Sequence, residues 1–385
     1  MFFLKLLIKN AFRHKLRTGL TLLGITIAIL AFGLLRTVIT TWYMGVEASS
    51  ANRLWTRNAV SLIFPLPISY KDKIRQVEGV KLVSHASWFG GIYIDEKNFF
   101  ANFAVEPESY MEAYSEYYIP PEQRAALLRD RKGAIAGRKL ADRFKWKVGD
   151  TIVLKGTIYP GNWELTLRGI YRGTRKDADE TILFFHWDYL NETLKKTVPV
   201  RADQVGAFIE VVRDANAAAA VAARIDGTFK NSLAETLTET EKAFVLGFIS
   251  MSETIITAIQ LVSIVVIAII LAVVGNTMAM TARERIGEHA VLKTLGFGGW
   301  RIAGLIFGES LVITLTGCLL GIVLSFPAAS AFGKALEQFF PAFNVTARTI
   351  YLDIAASLSV GVLAGIVPTW RAIKTPIADG LRRIG

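Results

Sequence analysis

Four long apolar runs dominate the sequence and limit what the chain can fold into. Residues 18–35, 254–282 and 310–333 carry no charged side chain, and residues 354–370 form a fourth uncharged run. A helix needs about 20 mostly apolar residues to cross the hydrocarbon of a bilayer. One such run is also typical of a buried core helix. Four of them, each with basic residues on one flank, predict four transmembrane helices.

The distribution of charge supports this interpretation. Of the 385 residues only 20% are charged, whereas soluble chains usually carry about a quarter. Residues 43–250 hold 28 basic and 26 acidic side chains, and the remainder of the chain holds 16 basic against 7 acidic ones. A basic fringe on apolar runs is typical of a membrane protein and not of a nucleic-acid binder. Cys318 is the single cysteine, so no intrachain disulfide can form.

The basic segments predict the orientation of the chain, because Lys and Arg accumulate in cytoplasmic loops. Residues 1–17, 281–301 and 371–385 are rich in Lys and Arg, whereas residues 331–349 are not. Four spans place the three basic segments on one side. We therefore expect both termini in the cytoplasm and residues 43–250 outside. The first run exceeds the 7–15 residues of a cleaved signal's apolar region, which favours an uncleaved anchor.

The predicted fold class is a polytopic α-helical membrane protein with four transmembrane helices and an α+β extracytoplasmic domain between the first and second. The predicted spans are residues 18–42, 254–280, 302–330 and 350–370. The other predicted segments are an N-terminal segment (1–17), the external domain (43–250), a cytoplasmic segment (281–301), a short external loop (331–349) and a cytoplasmic tail (371–385).

The N-terminal segment carries a basic stripe. Lys5, Lys9, Arg13 and Arg17 recur every four residues and so lie along one side of a helix. This spacing predicts an amphipathic helix on the anionic inner leaflet, with those four side chains at the membrane surface. An ordinary basic flank of a membrane span fits the same residues equally well, and both interpretations stay open.

The external segment is long enough to bury a core of its own. Short β-rich stretches end at Gly, Pro and Asp turns, at residues 80–83, 91–94, 151–155, 165–171 and 208–212. Helical stretches are predicted at residues 69–76, 121–129, 139–144 and 215–230.

Signatures of catalysis and of metal or nucleotide binding are missing. The string nearest to a phosphate loop, residues 133–140, lacks the required spacing and hydroxyl and is interpreted as a turn into a helix. The four histidines are isolated, without paired cysteines. We therefore expect a non-catalytic chain without a cofactor or metal. Glu309 lies inside an apolar pattern, and a structural pairing with Arg283 or another basic residue is favoured over a functional carboxylate.

The cytoplasmic segment between the second and third runs has its own helical pattern. Glu284 and Glu288 are one turn apart, and Gly296 is a helix-stop signal. Ala290, Val291, Leu292 and Leu295 supply apolar side chains outside the bilayer. A plain reverse turn does not need such an apolar face, so the segment is typical of a helix that a cytosolic partner could bind.

These residues resemble the permeases of MacB-type ABC transporters, a superfamily that includes lipoprotein-releasing and FtsX-like permeases. The family's usual pattern is N-T-M followed by E-R-x-x-E-I-G-x-L-K-A-L-G. The matching residues are Asn276, Thr277, Met278, Glu284, Arg285, Glu288, Leu292, Lys293, Leu295 and Gly296, whereas His289, Ala290 and Thr294 depart from the pattern. Residues 10–25, 137–151 and 368–382 resemble three further family stretches, in the same order along the chain.

The resemblance implies a location in the bacterial cytoplasmic (inner) membrane, an organisation and a set of partners. The external domain should divide into a membrane-near part (58–105 and 204–241) and an inserted tip (106–203). Members of the family dimerise, here as a homodimer or a paralogous heterodimer, and pair with two cytosolic ATPase subunits, which bind ATP and Mg²⁺. The chain begins only about 17 residues before the first span, so we expect the ATPase on a separate polypeptide.

The resemblance also implies a mechanism and a coupling site. ATP would close the ATPase dimer, and inner-face helices would transmit the motion to the external domain. The residues expected to contact the ATPase are Glu284, Arg285, Glu288, Leu292, Lys293, Leu295 and Gly296. The favoured function is efflux, that is, export or extraction of an amphipathic, peptide or lipid-linked cargo. The alternatives are a signalling permease that activates a cell-wall hydrolase and a permease that senses antibiotics. Whether a periplasmic adaptor and an outer-membrane channel take part stays open.

Overall fold

The structure is a computed structural model that describes residues 7, 9–175, 178–335 and 343–378. Its α-helices are α1 (Lys15–Ala48), α2 (Tyr70–Arg75), α3 (Pro107–Ala113), α4 (Pro121–Arg129), α5 (Arg138–Phe144), α6 (Trp187–Thr197), α7 (Ala218–Phe229), α8 (Glu241–Ser250), α9 (Glu253–Glu284), α10 (Ile286–Thr294), α11 (Gly299–Ala335) and α12 (Ala347–Lys374). The described residues form two compact units, which we call the membrane unit (residues up to Trp42, 252–335 and from Phe343 onward) and the external unit (Tyr43–Met251).

Four helices of the membrane unit are long and apolar enough to cross a bilayer. They are Lys15–Tyr43, Glu253–Glu284, Gly299–Gly333 and Ala347–Lys374, with mean hydropathies between 2.0 and 2.9 in their most apolar windows. The predicted fold class of four spans with an α+β domain between the first two is confirmed. The second helix continues to Glu284, beyond the predicted end of its span at residue 280, and so carries the first residue of the predicted coupling site.

Small side chains let the spans approach one another closely. A Cβ on Gly361 of α12 would lie 2.6 Å from Thr314 Oγ1 of α11, and Ser310 Oγ donates a 2.7 Å hydrogen bond to the Gly361 carbonyl. A Cβ on Gly317 of α11 would similarly lie 2.6 Å from Ile25 of α1. In a membrane, where apolar side chains gain little from leaving lipid, such close backbone contacts and interhelical hydrogen bonds hold helices together.

The external unit is built on one long sheet. Its strands are β1 (Arg53–Asn58), β2 (Leu66–Pro67), β3 (Val80–Trp88), β4 (Ile92–Tyr93), β5 (Asn102–Val105), β6 (Tyr117–Tyr118), β7 (Gly133–Gly137), β8 (Thr151–Gly156), β9 (Gly161–Gly173), β10 (Leu183–His186), β11 (Gln204–Val205), β12 (Ala207–Val212) and β13 (Thr236–Thr240). The sheet runs β13-β1-β12-β3-β5-β10-β7-β9-β8-β4, β6 pairs with β9, and β2 pairs with β11 separately.

The sheet joins the two parts into which the sequence analysis divided the external domain. Parallel pairing of β10 with β5 links the predicted tip to the predicted membrane-near part without a break in the ladder. β4 lies within residues 58–105, yet it pairs with β8 at the far edge of the sheet, among the strands of the predicted tip. Apolar side chains cover both faces of the sheet, in a large cluster that includes Phe208 and a smaller one that includes Phe184.

One sequence interpretation was wrong. Residues 133–137 form the buried strand β7, between β10 and β9, and not a turn, although α5 does begin directly after them. The small side chains of this strand fit its crowded position, because a Cβ on Gly137 would lie only 2.1 Å from the Glu180 carbonyl oxygen. A buried central strand needs no alternating polar pattern, so the sequence gives no period-two signal here.

Candidate functional site

The candidate site surrounds α10, the short helix that follows the second span. α9 ends at Glu284, Arg285 forms the junction, and α10 runs from Ile286 to Thr294. All seven predicted coupling residues lie in or beside this segment. The structure connects its charged residues to three other parts of the membrane unit: the N-terminal segment, α11 and α12.

The first connection joins the end of α9 to the N-terminal segment. Arg17 donates two hydrogen bonds to Glu284, at 2.7 and 2.8 Å, and His14 Nε2 lies 3.8 Å from the same carboxylate. A forked guanidinium–carboxylate pair fixes both position and orientation. Arg17, predicted at the membrane surface, is therefore engaged by a carboxylate of its own chain.

The second connection is a chain of charges that ends at a buried carboxylate. Arg13 Nη1 contacts Glu288 Oε1 at 2.5 Å, and Arg285 Nε donates to Glu288 Oε2 at 2.9 Å. Arg285 Nη1 in turn donates to Glu309 Oε2 of α11 at 2.7 Å. The buried Glu309 thus has a structural partner, as the sequence favoured, and the partner is Arg285 and not Arg283.

These contacts also affect titration at the site. Burial raises the pKa of Glu288, but the hydrogen bonds from Arg285 and Arg13 outweigh it and hold the pKa below its usual range. Burial, followed by the nearby Arg285 charge, lowers the pKa of His289 to about 4. His289 is therefore a neutral side chain near pH 7, although it lies within a basic segment.

The third connection joins α10 to the end of the last span. Lys293 Nζ donates to the carbonyl oxygens of Ala372, Ile373 and Thr375, at distances between 2.7 and 3.0 Å. The last carbonyls of a helix lack partners within it and carry partial negative charge, so a cation at this place is stabilising. Lys293 therefore caps α12, and its ammonium group is already used within the chain.

The apolar residues of the segment behave differently from the charged ones. Leu292 is half-buried, whereas Leu295 is 70% exposed. Gly296 adopts a φ of +85°, the left-handed conformation that ends many helices, and the Phe297 amide closes the turn onto the Leu292 carbonyl. Beyond this turn Phe297 is also exposed, and Trp300 is 91% exposed.

We call Val291, Leu295, Phe297 and Trp300 the exposed apolar patch. Sequence reasoning included Leu295 and Val291 in the apolar face but missed the two aromatic residues, which lie past the helix stop. The sequence contained a cue for them, because two large aromatic side chains, Phe297 and Trp300, flank the Gly298-Gly299 turn. The charged residues of the segment have partners within the chain, although Glu284 and Glu288 keep 37% and 44% of their side chains exposed, and the patch adds exposed apolar side chains next to them in the sequence.

Two of the predicted membrane-surface residues remain. Lys9 is exposed, and Lys5 lies outside the described residues. Asp379 and the rest of the chain after it, which belong to the predicted tail, also lie outside them. Within the described ranges, no three histidine, cysteine or carboxylate side chains are grouped so that they could hold a metal ion.

The external unit contains a buried carboxylate on the central strand β12. Glu210 is fully buried, and neither of its carboxylate oxygens has a hydrogen-bond partner among the described residues. Burial raises its pKa to about 8. By contrast the buried Arg53 of β1 is well partnered, since its guanidinium contacts Glu241 at 2.9 Å and Glu116 at 2.7 Å. Arg53 thus ties the first strand to the start of α8.

Two family models match the chain. The MacB-like periplasmic core domain matches residues 18–228, and the FtsX-like permease C-terminal domain matches residues 261–377. The second match includes α10 and the exposed apolar patch.

Individual proteins are also similar. An uncharacterized ABC transporter permease of Methanocaldococcus jannaschii is 26% identical over 404 aligned positions, covering 97% of this chain and 96% of that protein. The ABC transporter permease YtrF of Bacillus subtilis is 28% identical over 140 residues, and the matched stretch spans 32% of each chain. The solved extracellular domain of the ABC-type transporter YknZ aligns with 49% of this chain and 100% of that domain, at 11% identity and a TM-score of 0.36.

Proposed function

Because the chain belongs to the MacB-like and FtsX-like permeases of ABC transporters, we propose that it couples ATP hydrolysis by a separate ATPase subunit to movement of its external unit. The family implies an ATPase partner, and the four candidate spans with a periplasmic core domain fit an inner-membrane permease. We further propose that both termini are cytoplasmic, that two permease copies form the complex as a homodimer or heterodimer, and that two ATPase subunits bind them.

The observation that carries the proposal is the exposed apolar patch beside α10. Contact of apolar side chains with water is unfavourable. Their burial against a partner would stabilise the complex by about 25 cal/mol for each Å² of apolar surface. Leu295 and Trp300 are the most exposed members of the patch. We assign the patch to the ATPase, and we assign to the neighbouring charges the role of transmitting its motion.

The charged residues support a transmission role because they connect α10 to the rest of the membrane unit. Displacement of α10 would be transmitted to the N-terminal segment through Glu284 and Glu288. It would be transmitted to α11 through Arg285 and to α12 through Lys293. ATP can bias this arrangement only if the closed and open ATPase differ in their contacts with the patch. The coupling free energy therefore lies in the patch, and the ion pairs make α10 move as one body with its neighbours.

Substitution of a patch residue tests this assignment. Leu295→Asp places a charge where an apolar contact is proposed, and an unpaired charge removed from water costs several kcal/mol. We expect the variant to insert normally but to lose copurification with the ATPase and stimulation of its turnover in nanodiscs.

A matched control is available in the external unit. Leu233 is fully exposed there, so Leu233→Asp makes the same chemical change far along the chain from α10. We expect this variant to bind and stimulate the ATPase normally. If Leu295→Asp retains normal binding and turnover, the patch is an ordinary surface loop and the proposed coupling site is wrong.

For the cargo we propose an amphipathic molecule, a peptide or a lipid-linked molecule. The external unit supports this choice through a loop of exposed apolar side chains after β1, which includes Val60 and Ile63. Ile63→Asp should reduce cargo movement while leaving ATPase binding intact. Mass spectrometry of copurifying molecules separates export from the signalling alternative, since a cell-wall hydrolase without cargo would favour signalling.

A further inference from the structure

The strongest unassigned feature of the membrane unit is a cleft between the end of α9 and the end of α12. It has a volume of about 850 Å³, within the range of about 300–1,000 Å³ that is typical of ligand sites. Three of its lining side chains are cations, namely Arg283, Arg371 and Lys374, and no carboxylate is among the described residues that line it.

The cations of this cleft differ from the others nearby. Arg13, Arg17 and Arg285 are paired with carboxylates, and Lys293 is bound to carbonyl oxygens. Arg283 and Arg371 are both exposed, and neither has a carboxylate or carbonyl partner within the described part of the chain. Cations that converge without a counter-charge repel one another, so the cleft favours an anionic ligand.

The remaining walls of the cleft indicate what kind of anion fits. Trp370 is exposed beside it, and Lys374 Nζ lies 4.3 Å from the centre of the Trp370 ring. Ile286, Pro368 and Pro376 make other parts of the wall apolar. Tryptophan and basic side chains together are typical of the level at which lipid headgroups lie.

The surfaces next to the cleft are also those of membrane spans. Val367 on α12 and Met280 on α9 expose apolar side chains close along the chain to the cleft residues. Acyl chains can cover such side chains while the headgroup phosphate occupies the basic end. A phospholipid contacts the cations and the apolar side chains with one molecule, whereas a free phosphate can contact only the cations.

We propose that this cleft binds the headgroup of an anionic phospholipid, with Arg283 and Arg371 contacting its phosphate. Guanidinium groups match phosphate oxygens through paired hydrogen bonds, and basic pockets between membrane helices are suited to anionic headgroups. Placement of this lipid in the inner leaflet rests on the proposed orientation of the chain, whereas the binding itself does not.

The test is lipid retention by the purified full chain. Native mass spectrometry after exchange into mixed micelles of phosphatidylglycerol and phosphatidylcholine should show preferential retention of phosphatidylglycerol. Arg283→Gln, Arg371→Gln and Lys374→Gln should each weaken retention on the order of fivefold. The matched control removes two exposed cations outside the cleft, by Lys15→Gln and Arg301→Gln, and should retain the lipid like the unmodified chain.

Several outcomes would overturn the proposal. Equal retention of the two lipids by the unmodified chain would overturn it without any variant. An equal loss of phosphatidylglycerol from the cleft variants and the control variants would also overturn it. Inorganic phosphate that displaces phosphatidylglycerol at millimolar concentration would identify a free-anion site instead. Cleft variants that keep the lipid but lose the ATPase would identify a protein-docking surface. Since the first comparison needs only the unmodified chain, it remains decisive even if a variant fails to fold.

Discussion

The ion pair between Arg285 and Glu309 gives the sharpest prediction about the charged network. Glu309 exposes 7% of its side chain and Arg285 13%, whereas Glu288, the other partner of Arg285, exposes 44%. Loss of one partner of a buried pair costs about 3–5 kcal/mol, because the remaining charge stays buried. An exposed pair contributes only about 0–1 kcal/mol. The Arg285–Glu309 contact should therefore account for most of the effect of replacing Arg285.

The perturbation is Arg285→Met, assayed by thermal unfolding of the full chain in detergent. We expect the free energy of unfolding to decrease by about 3 kcal/mol or more, which would be measured as a clear fall in Tm. Addition of Glu309→Leu should restore most of the lost stability, because apolar side chains can replace a buried ion pair at little cost in stability. Arg301→Met is the control, since it removes an exposed cation without a carboxylate partner in the described structure.

The double variant decides between this explanation and a general effect of charge. If Arg285→Met and Arg301→Met lower Tm equally, the buried pair has no special role. If Glu309→Leu makes the Arg285→Met variant less stable still, then Glu309 is held by other contacts and our reasoning about the network is refuted.

Three further predictions concern titration and topology. His289 has a folded pKa of about 4 against 6.5 when unfolded, so stability should fall as pH drops from 6.5 to 4, and His289→Gln should flatten this dependence in unfolding measurements. Glu210 has a pKa of about 8 in the folded chain against 4.5 when unfolded. Its contribution to stability should therefore fall as pH rises from 4.5 to 8, by up to about 1.4 kcal/mol per pH unit. Glu210→Gln should therefore raise Tm at pH 8 more than at pH 5, and equal shifts would contradict the assignment. Reporters fused after Gly385 or within residues 287–298 should be cytoplasmic and one within residues 106–203 external, and an external C-terminus would remove the four-span orientation.

The spans were predictable because the length of an apolar run is a local property of the sequence. Helix α4 was predicted with its observed ends because Pro121 starts it and a polar Asp130 follows it. The strand β7 was missed because a buried strand of Gly, Ala and Ile has no alternation to detect. Its identity depends on β10 and β9, whose paired residues lie 33 or more positions further along the chain.

The candidate site was only partly predictable for a similar reason. The segment from Glu284 to Gly296 could be singled out by its spacing and by its resemblance to a family pattern. The partners of its charges could not, since Arg17 and Glu284 are separated by 267 positions in the chain. The contacts of these charges within the chain, and the exposure of Leu295 and Trp300 next to them in the sequence, became visible only in the structure.

The central claim is that the exposed apolar patch contacts the ATPase, and a crosslink tests it most directly. Cys318 is the only cysteine and is buried, so Leu295→Cys in a Cys318→Ser background provides one labelling site. A photoreactive maleimide on this cysteine should crosslink to the ATPase in the assembled complex, to an extent that changes when ATP is added. The same label on Leu233→Cys should give no such product. Equal crosslinking from the two positions, or none from Leu295→Cys in a complex that hydrolyses ATP normally, would contradict the account.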